Sequence, residues 1–270
     1  MDKKAIGIFD SGVGGLTVFK EIRKQFPNED IIYFGDTARL PYGPKSRRTI
    51  IEYSLQNASF LVQQQVKIII IACNTASSVA LDILKQTLDI PVIGVIEPGS
   101  LAAVNASKNK KIGVIGTSGT IKSMAYEKEI RRLSSEVTIM SRACPLLVSL
   151  AEEGWLDHKA TELIISEYLE DFKNIDIDTL VLGCTHYPIL KKAVGKFFDN
   201  KINLIDSAEA ISEVLKEILP EPEISGEGKD NFYVSDNEEK FINTANIILG
   251  KEISALNRVV LGKSWLVDSR

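Results

Sequence analysis

A chain of 270 residues that is 44% hydrophobic and 25% charged has the make-up of an ordinary globular protein, with length for one large domain or two modest ones. Its net charge of −4 excludes a general attraction to nucleic acid or to anionic membrane, and its longest apolar run, around Ile68–Ala72, falls far short of the roughly 20 residues of a membrane span. Three cysteines without a CxxC, and two histidines that form no pair, exclude a zinc site and a disulfide framework. A cytoplasmic protein with reduced thiols and no metal is expected. The opening MDKKAIGIFD reaches an acidic residue too early for a secretory signal. The first strand starts so near Met1 that no N-terminal regulatory extension is expected.

In chain order, AIGIFDSGVGGLTV (5–18) reads as a strand, a Gly-rich turn and a helix to about Phe26. The glycines Gly12, Gly14 and Gly15 fit neither GxGxxG nor GxxxxGK[ST]. They read as a tight turn that lets the backbone approach a ligand or a neighbour. Asp10, at the strand end, either caps the next helix or acts on a substrate. Ile31–Phe34 form a second strand. The loop after it, rich in Gly and Pro through Pro41, Tyr42, Gly43 and Pro44, is too rigid for a mere linker, and loops at strand ends often carry function. Residues 45–65 read as one amphipathic helix.

IIIIACNTAS (68–77) is a buried parallel strand, a turn bearing Cys73, and the start of a helix from Ala76 to about Leu88. PVIGVIEP (91–98) is a strand ended by proline. From Glu97–Pro98 the pattern restarts: a helix, a strand over 112–115, a helix over 120–133 and a strand over 136–140. RACPLLVSLAEEGW (142–155) reads as irregular and holds Cys144, taken as a packed structural thiol, and Glu152. A helix over 158–172, with His158 at its start, leads to DTLVLGCTHYP (178–188), a second buried strand with Cys184 at its end. A helix from Pro188, a strand over 202–205, a helix over 208–219, a Pro/Gly-rich surface connection (PEPEISGEGKD), a strand over Phe232–Val234 and a helix over Glu238–Leu249 complete the chain. This alternation argues an α/β protein with mainly parallel sheets.

IGIFDS (6–11) resembles IGVIGT (112–117), and the two cysteine stretches resemble each other. The offsets are 106 and 111 residues, which suggests an internal duplication; the alternative is that strand–turn units in α/β proteins look alike. Two facing halves would put Cys73 and Cys184 on opposite walls of one cleft, at the strand ends where such sheets bind ligands. Inverting a carbon needs a proton removed from one face and another supplied to the opposite face. Two thiols can do this if one is a thiolate and the other a thiol. Both strand-end thiols are expected to have lowered pKa values. The carbanion then needs a dry site and donors aimed at the α-carboxylate. Ser11, Asn74, Thr75, Thr117 and Thr185 are the candidates, with helix N-termini beside them. His186 is either catalytic or a satisfied structural histidine.

DSGVGGLTV, YFGDTARLPYGPKS, ACNTAS, CPLL…EEGW and LGCTHYP, in that order, resemble the cofactor-independent glutamate racemases over nearly the whole chain. One departure is Ser149–Leu150–Ala151, where that family more often shows Pro-Leu-Val/Ala; Glu152 stays in place. The resemblance implies two pseudo-symmetric α/β domains, 1–97 with 208–270 and 98–207, and an active site in the cleft between them. It implies that Cys73 acts on D-glutamate and Cys184 on L-glutamate, that Asp10 and His186 tune or relay protons, and that Glu152 supports the site. It further implies that Pro41, Tyr42 and Gly43 help hold the substrate, that no cofactor is used, and that the protein is a homodimer supplying D-glutamate for peptidoglycan. Three alternatives stay open. An aspartate-type racemase would differ in pocket length. A cysteine amidase would use one thiol as nucleophile with His186 and show a covalent intermediate. A non-catalytic binder would keep its function without either thiol.

Overall fold

The computed structural model describes residues 4–219, 226–253 and 255–262. Most of the connection expected over 220–230 lies outside them, since 220–225 are not described.

Among the described residues, ten strands form two parallel sheets. The first contains β1 (Ile6–Asp10), β2 (Ile31–Gly35), β3 (Ile68–Ile71), β4 (Val92–Gly94), β9 (Asp230–Val234) and β10 (Leu256–Arg258), ordered β10-β9-β2-β1-β3-β4. The second contains β5 (Lys111–Gly116), β6 (Thr138–Ala143), β7 (Thr179–Gly183) and β8 (Asn203–Asp206), ordered β6-β5-β7-β8. Written from the first strand of each unit, β2-β1-β3-β4 and β6-β5-β7-β8 are the same 2-1-3-4 order. The similarity between sequence stretches is therefore a similarity of topology. β9 and β10 extend the first sheet beyond β2.

The isoleucine run of β3 shows why these segments become central strands. Ile68 and Ile70 face one core, packed with Leu16, Phe19 and Ile211, while Ile69 and Ile71 face another with Phe60, Ala80 and Leu84. A strand buried on both faces needs apolar residues at every position. The helices α1 (Leu16–Gln25), α10 (Ser207–Ile218) and α11 (Glu238–Leu249) cover the first face; α2 (Arg47–Gln63) and α3 (Asn74–Thr87) cover the second. The second sheet repeats the plan. Val114 and Val181 face α4 (Ile96–Ala106) and α6 (Ala125–Leu133); Ile115, Leu180 and Leu182 face α7 (Leu146–Glu152), α8 (Lys159–Ile175) and α9 (Lys191–Phe197).

Several expectations are corrected. β4 ends at Gly94, and Pro98 sits in the first turn of α4, where its missing N–H costs nothing. The helix expected over 120–133 is two helices, α5 (Ser118–Ser123) and α6, broken at Met124 with φ 57°. The strand expected at 136–140 runs later, as β6, and the irregular stretch after it contains α7. After Pro188 there is only a short 3-10 turn, Tyr187–Leu190, before α9. β10 had no sequence signal. No described helix is long and apolar enough to cross a membrane.

Candidate active site

In a 2-1-3-4 sheet the order reverses between the first and third strands, and the crevice beyond their carboxyl ends is the natural ligand site. Here the two crevices face each other. Ser11 and Gly12 follow β1, Cys73–Thr75 follow β3, Thr117 follows β5 and Cys184–His186 follow β7. All of them line one narrow cleft with Leu40, Pro41, Tyr42, Gly43, Val148 and Glu152. Neither lysine nor arginine is among those lining residues. Asp10 lies behind them, at 0% exposure.

On the first wall, Cys73 stands at the N-terminus of α3 and its Sγ approaches Ser11 Oγ at 3.6 Å. Burial pushes the thiol up, and the Asp10 carboxylate adds to this; the Ala76 N–H and Ser11 oppose them and lose, leaving a pKa of about 12. The thiol is therefore held in its neutral form, against an ordinary thiol pKa of about 8.5. The expectation of a lowered pKa at both strand-end thiols is wrong for Cys73, whose pKa is raised by burial. Asp10 is not a helix cap. Its Oδ1 accepts the Gly12 N–H at 3.0 Å and its Oδ2 accepts from Thr185 Oγ1 at 3.4 Å, while Gly15 occupies the cap position of α1. Burial raises the Asp10 pKa, against the pull of His186 and these donors.

On the opposite wall, Cys184 Sγ lies 3.8 Å from His186 Nδ1. The other ring nitrogen, Nε2, lies 3.2 Å from Glu152 Oε1, an ion-pair contact without the alignment of a hydrogen bond. Burial disfavours the charged imidazole, but its contacts with Cys184 and Glu152 outweigh burial and push the pKa up to about 10. Glu152, at the end of α7, is held down to about 2, chiefly by His186 and against its partial burial, with Lys240 contributing. The two walls are thus electrostatically unlike: a neutral thiol beside a buried carboxyl faces a thiol beside an imidazolium.

Hydroxyls join the walls. Thr75 Oγ1 lies 2.8 Å from Thr117 Oγ1 and 3.2 Å from Thr120 Oγ1, and the latter two are 3.1 Å apart. Thr17 Oγ1 donates to the Thr185 carbonyl at 3.1 Å. Two lining side chains have polar groups engaged elsewhere. Tyr42 donates to Asp36 and accepts from Asn57, and the Asn74 carbonyl oxygen accepts from Tyr126 at 2.7 Å. Leu40–Pro41 is a cis peptide. Cys144 stays outside the cleft at 0% exposure, its Sγ directed to the Arg142 carbonyl at 3.7 Å; His158 caps α8 by accepting the Ala160 N–H at 3.1 Å. Among the described residues no three His, Cys, Asp or Glu side chains form a metal-binding group.

Sequence reasoning missed Leu40, Val148, Thr120, Tyr126 and Lys240. A lysine on a solvent-facing helix carries no sequence signal of its own. Gly14 was marked only as part of a turn. A Cβ there would meet His186 Nδ1 and Thr185 Oγ1 at 2.5 Å each, so this glycine lets the first unit close against the second.

Comparison with known proteins finds a family profile described as Asp/Glu/Hydantoin racemase over residues 6–215. A protein named glutamate racemase from Geobacter metallireducens is 51% identical over 265 residues, covering 97% of this chain and 98% of that one. Among solved structures, glutamate racemase isoform RacE1 from Bacillus anthracis superposes with a TM-score of 0.92 at 39% identity, covering 97% of this chain and 99% of that one. Glutamate racemase from Francisella tularensis in complex with D-glutamate gives 0.90 at 42% identity, with the same coverage.

Proposed function

Because the chain belongs to the Asp/Glu/Hydantoin racemase family, and is an isomerase of the racemase class, we propose that it interconverts L- and D-glutamate by a two-thiol mechanism. The observation that carries this reading is the pairing of Cys73 and Cys184, each after the third strand of its unit, on one cleft. A single nucleophile would need one of them; a proton removed from one face and replaced on the other needs both.

With L-glutamate, the Cys184 sulfur takes the α-proton, with the charged His186 ring 3.8 Å away. The Cys73 thiol, neutral in this state, gives its proton to the opposite face. One Cα–H bond breaks, another forms, and the two sulfurs exchange roles. The reverse direction needs a thiolate at Cys73. The substrate's ammonium supplies the missing cation: a unit charge about 4 Å away is worth about 4 kcal/mol at an effective dielectric near 20, about a thousandfold in ionisation. The buried Asp10 carboxylate, behind the lining, adds to the negative field that draws the ammonium to this wall. The lining has neither lysine nor arginine, so the substrate carboxylates fall to hydroxyls and backbone N–H groups at the starts of α3 and the turn after β7.

In the same reading, 1–97 with 208–270 and 98–207 act as two domains about the cleft. The enzyme works as a cytoplasmic homodimer without a cofactor, and its D-glutamate feeds peptidoglycan synthesis. Polarimetry on EDTA-dialysed protein with L-glutamate, D-glutamate and L-aspartate tests the reading. Decay of both glutamate rotations to zero, with L-aspartate unchanged, is the expected outcome. Racemisation of aspartate instead, or turnover only after pyridoxal phosphate is added, would overturn it.

A further inference from the structure

Glu152 has both carboxylate oxygens engaged. Oε1 faces His186 Nε2 at 3.2 Å, and Oε2 accepts from Lys240 Nζ at 3.0 Å. Lys240 belongs to α11, packed on the first sheet; Glu152 and His186 belong to the second unit. The chain Lys240–Glu152–His186–Cys184 therefore runs from the surface of one unit to the sulfur on the wall of the other. Lys240 is about half exposed, whereas Glu152 is 14% and His186 7% exposed at the side chain. The pair also stands between two cavities. One is the cleft holding both cysteines; the other is lined by Val13, Thr37, Asn237, Lys240, Phe241 and Thr244 and shares Leu40 and Glu152 with the first.

An isolated exposed ion pair contributes little. This one differs because its carboxylate is shared. A Glu side chain ending in a freely rotating carboxylate can leave a histidine it touches at one oxygen; one pinned at the second oxygen cannot turn without breaking both contacts. Glu153, the neighbouring acid, adds to the negative field at Lys240.

We propose that Lys240 is a positioning residue for proton transfer at Cys184: it locks the Glu152 carboxylate across the two units, so that Glu152 holds His186 with Nδ1 turned to the sulfur. Cys73 has no such chain. This rests on the two-thiol racemase reading, and the test separates the two. Racemisation of glutamate by the unaltered enzyme checks the reading itself. The role of Lys240 is read with a glutamate carrying chloride at Cβ, in each α-configuration. Removal of its α-proton sends the electron pair into a Cα=Cβ bond and expels chloride, so only the base on that face is used.

Lys240→Met should slow chloride release from the L-analogue about tenfold more than from the D-analogue. Lys240→Arg, which keeps a cation in reach, should restore the L-reaction. Adding Lys240→Met to Glu152→Gln should cost nothing further, since the chain is already cut. Equal loss on both enantiomers, no loss on either, or a further loss in the double variant would each overturn the proposal.

Discussion

At the residue scale the two cleft thiols differ more than their matching sequences suggest. ACNTAS and GCTHYP put Cys73 and Cys184 in equivalent places, and that equivalence was legible from the apolar run and the small polar residues after it. Their electrostatic surroundings were not. Burial and Asp10, 63 positions earlier, together raise the Cys73 thiol, and His186 is contacted by Glu152 on a helix the sequence did not reveal. Gly14 belongs to the same scale. Its importance comes from His186 and Thr185, which only the fold brings against it. Gly14→Ala should push His186 off both Cys184 and Glu152 and lower kcat/KM for glutamate about a hundredfold, with a cooperative unfolding transition retained. Unchanged kinetics would mean that His186 can yield without loss.

At the scale of elements, legibility followed the strength of local signals. The helix over Glu238–Leu249 was read to the residue, because acidic residues open it and Gly250 ends it at φ 69°. The long α2 was read to within two residues at each end. Prolines misled in the opposite direction. Pro98 looked like the end of a strand, yet it stands where a helix starts and needs no N–H, as does Pro145 within the stretch read as irregular. The helix expected over 120–133 failed at one residue. Met124 takes a left-handed conformation, φ 57° and ψ 21°, where nothing in the local sequence asks for a turn. Half-exposed, it has little packing to lose. Met124→Gly should therefore raise stability by about 0.5–1 kcal/mol, relief of the left-handed penalty exceeding the added chain entropy. A urea titration should show a higher midpoint with the slope unchanged; a lower midpoint would show that the methionine side chain matters more than its backbone strain.

For the whole molecule, the sequence suggested two repeated units, and the structure gives both the same strand order. What it could not show was how the units meet. The contacts that join them pair distant residues: Thr75 with Thr117, Asn74 with Tyr126, Thr17 with Thr185, Glu152 with Lys240. None has a signature within a window of sequence, and together they decide that the thiols share one cleft. The functional account depends on that shared cleft, with each thiol serving one face of the α-carbon. The most direct measurement takes Cys73→Ser and Cys184→Ser and follows chloride release from both enantiomers of the Cβ-chloro analogue. Serine is a poor base near neutral pH, so each variant should lose glutamate racemisation in both directions. Cys184→Ser should still process the D-analogue through Cys73, and Cys73→Ser should still process the L-analogue through Cys184. If both variants kept the same enantiomer, or if one were dead toward both analogues while the other stayed normal, the division of labour between the two walls would be contradicted.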